Sequence, residues 1–247
     1  DVVSLEGTSL LVRVALSPEQ EIDLDGPETF RLVATNTGGT DSAVDEGVGT
    51  IVDDGTGDYF AADNNSATPA VPDGVVLDDD RVLEVSNVTV NEGSPYAVFT
   101  VSGTAGQAVS LVLGGNDATP GTDFGTSALQ VSTDGGATWQ TYTGPVTLPA
   151  GGSLLARTPV VEDGLRDNGE TFSLTATPAG GVPAIGTATI QDDGTGSIFG
   201  ANGQVDPNAQ PSDDRAVGVS SPEVNEASPW AVFTVTGTAG QRLALAL

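Results

Sequence analysis

Val90-Asn-Glu-Gly-Ser-Pro-Tyr-Ala-Val-Phe-Thr-Val-Ser-Gly-Thr-Ala-Gly-Gln107 returns 134 residues later as Val224 to Gln241, with fifteen of its eighteen positions identical. The segments upstream repeat as well. Glu28-Thr29-Phe30 returns as Glu170-Thr171-Phe172, an offset of 142, and Asp53-Asp54-Gly55-Thr56-Gly57 returns as Asp192-Asp193-Gly194-Thr195-Gly196. A drifting offset is what fixed strands joined by loops of variable length produce. The chain is therefore a stretch of a tandem array whose unit is roughly 135–140 residues, and repetition of this kind has to be settled before any fold is assigned.

Within the unit, Val82-Leu-Glu-Val-Ser-Asn-Val-Thr-Val90 and Tyr96-Ala-Val-Phe-Thr-Val101 alternate apolar and polar residues, are rich in β-branched and aromatic side chains, and are separated by Gly93-Ser94-Pro95. That combination predicts strands with a turn between them. Further strands are expected near 107–113, 127–132, 138–143, 153–161, 170–177 and 184–191. The short spacing, the many Gly and Pro residues and the lack of helical periodicity predict an all-β fold of tandem immunoglobulin-like Greek-key β-sandwiches. Residues 58–81 and 197–217 carry Asn, Pro, Asp and Gly without alternation, and both finish in Asp-Asp-Arg; they read as acidic linkers. The expected organisation is the back part of a repeat over 1–57, a linker over 58–81, a complete repeat over 82–196, a linker over 197–217 and the front part of a following repeat over 218–247.

Composition prunes the chemistry. Of 247 residues, 34 are acidic and 7 basic, giving a formal net charge of −27, and all seven basic residues are Arg. Such a balance argues against nucleic acid and anionic membrane surfaces, which attract clustered positive charge. With no His, Cys or Lys, there is no zinc site of the usual nitrogen and sulfur type, no Ser-His or Cys-His couple and no Schiff base. Nothing in the sequence marks an enzyme. No apolar run approaches the length of a membrane-spanning helix, so no membrane insertion is expected in this segment.

The acids of the complete repeat fall where strands are expected to end. Glu92 follows the first strand, and Asp117 and Asp123 lie in the next long loop. Glu162, Asp163, Asp167 and Glu170 bracket Gly164 to Gly169, and Asp192 and Asp193 close the last strand. In a Greek-key sandwich, loops distant in sequence meet at one pole. Carboxylates gathered there repel one another unless a hard cation satisfies them, and an oxygen-only donor set in irregular loops favours Ca2+.

The order Val-Asn-Glu-Gly (90–93), Ala-Thr-Pro-Gly-Thr-Asp-Phe (118–124), Val-Glu-Asp-Gly-x3-Asn-Gly-Glu-Thr-Phe (161–172) and Ala-Thr-Ile-Gln-Asp-Asp-Gly (188–194) resembles the Calx-beta domain. The resemblance implies a seven-stranded immunoglobulin-like sandwich binding calcium at one end. The implied ligands are Glu92, Asp123, Asp163, Glu170, Asp192 and Asp193, joined by Glu162 and Asp167 of the same loop. In the partial repeats, Asp25, Glu28, Asp53, Asp54 and Glu226 complete the candidate set. Two departures stand out. A run of three acids is common at the family's final strand, whereas Gly194 follows Asp192-Asp193 here, and Ala227 replaces the Gly after Glu226. Fewer carboxylates imply fewer ions or weaker binding.

Ser132-Thr-Asp134-Gly-Gly136-Ala-Thr138-Trp139 fits the Asp-box pattern of sialidase propellers. One box without a cluster of arginines reads as a structural hairpin turn. The combined expectation is a calcium-binding structural repeat, a rigid spacer in a large secreted bacterial surface protein such as an RTX-type adhesin or extracellular filament. Its partners would be neighbouring repeats of the same or an identical chain, including head-to-tail self-association. The alternative is a calcium-dependent adhesion module recognising a glycan or a host protein.

Overall fold

The computed structural model describes residues 2–17, 26–40, 43–125 and 129–247, and the chain divides into two compact units, residues 1–82 with 178–182 and residues 83–177 with 183–247. Every regular element among the described residues is a strand. The first unit holds β1 (Glu28–Thr35) and β2 (Val44–Ile51), an antiparallel hairpin in register from Glu28 opposite Ile51 to Thr35 opposite Val44.

The second unit holds β3 (Glu84–Val85), β4 (Val88–Asn91), β5 (Ala97–Ser102), β6 (Ala108–Gly115), β7 (Gln130–Ser132), β8 (Gln140–Thr141), β9 (Val146–Thr147), β10 (Ser153–Thr158), β11 (Thr171–Pro178), β12 (Ala184–Gln191), β13 (Gly218–Val219) and β14 (Val235–Thr236). Two five-stranded sheets form its sandwich, ordered β3-β5-β10-β7-β8 and β4-β12-β11-β6-β9, and β13 and β14 form a separate pair. All-β sandwich architecture is thus what the alternating sequence encodes. The part of the expected strand at 127–132 that precedes residue 129 lies outside the described residues.

One expectation needs correcting. Residues 82–90 were expected as a single strand, but they form two, and the two belong to different sheets. β3 pairs with β5, whereas β4 runs parallel to β12 with Val88 opposite Ala188 and Asn91 opposite Gln191. The crossing occurs at Ser86 and Asn87. Ser86 donates its backbone N–H to the Thr100 carbonyl at 2.9 Å and accepts the Thr100 N–H on its hydroxyl at 2.8 Å, while the Asn87 side-chain oxygen accepts the Thr187 N–H at 2.8 Å. Ser86 thus belongs to one sheet and Asn87 to the other. The crossing brings the Ser86 carbonyl into the space a Cβ at position 186 would occupy, so Gly186 of β12 is required there.

The core lies between the sheets. Along β11 the side chains of Phe172, Leu174 and Ala176 are fully buried while Thr171, Ser173 and Thr175 between them are only partly covered, the period of two expected of a sheet with one face inward. The Phe172 ring stacks on Phe124 (centroids 4.2 Å apart, planes 8° apart) and meets Phe99 edge-on at 5.9 Å. The Asp-box residues form a tight turn. The Asp134 carboxylate accepts the Ser132 hydroxyl, the Thr138 N–H and the Thr138 hydroxyl, at 2.7, 2.9 and 2.6 Å, and these bonds hold its pKa down to about 2. Gly136 has a left-handed φ of 96°, and the Asn202 carbonyl fills the place of its missing Cβ. Beside this turn, the Arg157 guanidinium lies between the Tyr96 and Trp139 rings, 4.0 and 3.9 Å from their centroids, and donates to the Gln130 side-chain oxygen and the Ala201 carbonyl.

The repeat makes a direct comparison possible. Phe30, Leu32 and Ala34 of β1 correspond to Phe172, Leu174 and Ala176, yet Phe30 is 36% and Leu32 47% exposed. Likewise Trp230 is 78% and Phe233 51% exposed, where Phe99 at the position matching Phe233 is fully buried. Among the described residues, the same sequence thus buries its apolar face only where the facing strands are present. Phe172→Ala should lower unfolding free energy by about 3–5 kcal/mol, and Phe30→Ala by less than about 1 kcal/mol, in urea titrations followed by far-UV circular dichroism. Equal costs would mean that the β1–β2 hairpin has a core of its own.

Candidate metal centre

Four buried oxygens without a hydrogen-bond partner define the site. Among the described residues, the buried side-chain polar atoms lacking one are Glu92 Oε2, both carboxylate oxygens of Asp192, Asp214 Oδ2 and the Trp139 indole nitrogen. Glu92 is 5% and Asp192 1% exposed. Burying an ionised carboxylate costs several kcal/mol unless a counter-charge or hydrogen bonds replace its lost water.

The fold places these groups at strand ends. Glu92 follows β4, and Asp192 follows β12, which runs parallel to β4, so the two acids leave the sheet side by side. The Glu92 N–H donates to the Gln191 carbonyl at 2.8 Å, and Glu92 Oε1 accepts the Asp163 N–H at 3.1 Å. Asp192 donates its own N–H to the Asn168 side-chain oxygen at 3.0 Å, which ties the last strand to the 163–170 loop. Asn91, fully buried, organises this pole. Its amide NH2 donates to the carbonyls of Gln191, Thr195 and Ser212, and its oxygen accepts the N–H groups of Gly93 and Ser212.

A second group stands beside the first. One carboxylate oxygen from each of Asp123, Asp167 and Glu170 lies within 4.8 Å of the others. Asp123 is fixed by its neighbour Phe124 in the core and by the Val161 N–H, which donates to the Asp123 carbonyl at 2.9 Å. Glu170 is fixed by mutual backbone hydrogen bonding across to β12, where the Ile190 N–H donates to the Glu170 carbonyl at 2.8 Å and the Gly169 N–H to the Ile190 carbonyl at 2.9 Å.

The electrostatics agree with the geometry. Burial, followed by the Asp163, Asp214 and Asp167 carboxylates, pushes Glu92 up to about 7 against the opposing pull of the Asp163 N–H. Burial and then Asp123 and Asp167 raise Glu170, and burial and then Asp163, Asp123 and Asp192 raise Asp167. The three ion pairs among the described residues, Arg31–Glu46, Arg81–Asp79 and Arg215–Asp213, involve none of the acids in either group.

The remaining sequence candidates are distributed differently. Asp163 joins the pole through its backbone N–H and its charge, while its Oδ1 accepts the Leu165 N–H at 2.7 Å; Glu162 Oε1 accepts the Ser212 hydroxyl at 3.1 Å. Asp193 turns to its own loop, where Oδ1 accepts the Thr195 N–H and hydroxyl, and Asp54 does the same with Thr56. Glu28 is exposed at the start of β1, Asp53 precedes Asp54 in the corresponding turn, and Glu226 is exposed after Asn225. These four acids of the partial repeats enter no close group of ligand atoms among the described residues. Asp25 lies outside the described residues. Asp214 and Asn91 were missed. Asp117 pins the Thr171 N–H and hydroxyl at 2.7 and 2.5 Å, a bracing of the loop onto β11.

The donor set is entirely oxygen, strongly anionic and partly unpartnered, which fits a hard divalent cation.

No family profile matches the sequence, and no curated protein matches it. Solved structures do. CBD12 from CALX1.2 is 21% identical at a TM-score of 0.33, the match covering 45% of this chain and 45% of that one. The apo form of the Calx CBD1 domain is 21% identical at a TM-score of 0.33, over 45% of this chain and 97% of that one. A Pseudomonas aeruginosa chaperone, CupB2, is 13% identical at a TM-score of 0.28, over 44% and 54%. The chain thus spans less than half the length of the CBD12 structure it matches.

The raised carboxyls set a pH dependence. In the folded state Glu92 holds its proton up to about 7, whereas an unfolded Glu releases it near its ordinary value of 4.5. Between these limits the folded chain binds more protons, so the stability these groups contribute is fully present below about pH 4.5 and is lost as pH rises through about 7. With chelator present, the melting temperature should drop by several degrees between about pH 5 and about pH 8. A flat or rising profile over that window would contradict burial of Glu92 and Glu170 as described.

Proposed function

We propose that this chain is a segment of a calcium-binding repeat protein whose sandwiches act as rigidified spacers in an extracellular bacterial adhesin or surface filament. Its partners are neighbouring repeats of the same or an identical chain. The observation that carries the calcium reading is the set of buried, partnerless carboxylate oxygens on Glu92 and Asp192 beside the converging Asp123, Asp167 and Glu170. These residues, with Asp163, would hold the ion, and its charge would offset their mutual repulsion. The spacer reading rests on near-identical repetition, on two acidic segments that end alike and on the lack of any catalytic arrangement in the sequence.

Calcium that binds only the folded state stabilises it by mass action. At 10 to 100 times the dissociation constant, each site adds about 1.4–2.7 kcal/mol, comparable with the margin of a weakly stable domain. Thermal melting of the whole chain in millimolar calcium, in equal magnesium and in chelator is the direct test. Calcium should raise the main transition by about 5–10 °C, magnesium by much less, and Asp192→Asn should remove most of the rise. Identical melting in all three conditions would leave a sandwich with a merely acidic surface and end the calcium reading.

A further inference from the structure

We infer that Asp214, from the acidic segment following the sandwich, is a direct oxygen ligand of the cation held by Glu92 and Asp192. This rests on the calcium reading above and assigns to it a residue remote from the final strand in sequence.

Residues 212–214 pair with residues 192–194. The Gly194 N–H donates to the Ser212 carbonyl and the Asp214 N–H to the Asp192 carbonyl, both at 2.9 Å, with Asp193 and Asp213 forming an antiparallel bridge between them. Asn91 fixes the register by engaging both the N–H and the carbonyl of Ser212, at 2.7 and 3.1 Å. In an extended segment, successive side chains alternate sides. Asp213 takes one side, where Arg215 grips its carboxylate at 2.7 and 2.6 Å. Ser212 and Asp214 take the other. There the Ser212 hydroxyl reaches Glu162 of the acidic pole, and Asp214 Oδ2 is buried with no partner.

Two adjacent aspartates thus have opposite fates. Asp213 has its counter-ion in the protein. Asp214 is tied to Asp192 through its backbone N–H, adds to the field that raises Glu92, and has no cation paired with it among the described residues. A purely structural aspartate would be expected to find a donor in a region where Asn91, Ser212 and Arg215 are all bonded.

The first unit builds the same frame. The Asp80 N–H donates to the Asp53 carbonyl at 2.9 Å, the Gly55 N–H to the Asp78 carbonyl at 2.7 Å, Asp54 bridges Asp79, and Arg81 grips Asp79 at 2.8 Å through each of two nitrogens. Asp-Asp-Arg at the end of each acidic segment thus repeats one arrangement: the first Asp locks to the Arg, and the backbone N–H of the second bonds to the turn after the preceding strand.

The test uses the whole chain, with calcium affinity measured by calorimetry and europium(III) luminescence lifetimes in H2O and D2O as a count of coordinated water. Asp214→Asn should weaken the affected calcium step about tenfold or more, add a coordinated water to bound europium, and leave melting in chelator unchanged or higher. Asp213→Asn, in the same segment, should leave the coordinated water count unchanged. If Asp214→Asn fails to fold in chelator, Asp214→Ser takes its place under the same criteria. An unaltered calcium affinity and water count in the Asp214 variant, with the parent chain binding calcium, would overturn this inference alone. Absence of calcium binding by the parent would overturn it together with the reading on which it rests.

Discussion

Negative charge without a counter-ion is the constraint around which this repeat is organised. The sandwich gathers Glu92, Asp123, Asp167, Glu170, Asp192 and Asp214 at one end, buries several of them, and offers them none of the chain's paired arginines. A fold with an ordinary margin of stability does not tolerate several uncompensated buried carboxylates. The structure raises the affinity of Glu92, Asp167 and Glu170 for protons, leaves oxygens of Glu92 and Asp192 without a partner, and brings one oxygen each of Asp123, Asp167 and Glu170 within 4.8 Å of one another. Folding and charge are therefore one balance.

The apolar core and the acidic pole are joined residue by residue. Phe124, stacked on Phe172, is the neighbour of Asp123, and Phe172 lies two positions beyond Glu170. Ile190, two positions before Asp192, bonds through its backbone to the Glu170 carbonyl. Packing of the phenylalanines thus fixes where the carboxylates emerge. Asn91 performs the corresponding task in polar terms: with both ends of its amide engaged, it holds the turn after β4, the turn after β12 and Ser212 at one place.

Much of this was legible in the sequence, for identifiable reasons. Phe172, Leu174 and Ala176 alternate with Thr171, Ser173 and Thr175, a local pattern that needs no tertiary knowledge to interpret. That Glu92 and Asp192 stand at strand ends was legible because each follows a readable strand, whereas Asp123 lies in a long loop and is placed by its neighbour Phe124 in the core. The break of 82–90 into two strands was not, since it depends on Thr100 and Thr187, far along the chain. Asp214 was hidden for the same reason: in sequence it belongs to a Pro- and Asn-rich tract, and only pairing with residues 192–194 brings it to the pole. Asp193 shows the converse, an acid in the expected motif whose carboxylate is taken by its own turn with Thr195.

The parallel pairing of β4 with β12 carries a consequence of another kind. These are nearly the first and the last strands of the complete repeat, they run in the same direction, and Ser197 extends the pairing beside Thr89 and Asn91. Tension entering the chain ahead of Val88 and leaving it beyond Gln191 pulls the two strands along their length in opposite senses. The hydrogen bonds from Val88 to Asn91 are then loaded together in shear, rather than opened one at a time as in an unzipping hairpin. Two strands paired in this way resist being drawn apart along their own length more than a hairpin opened from one end.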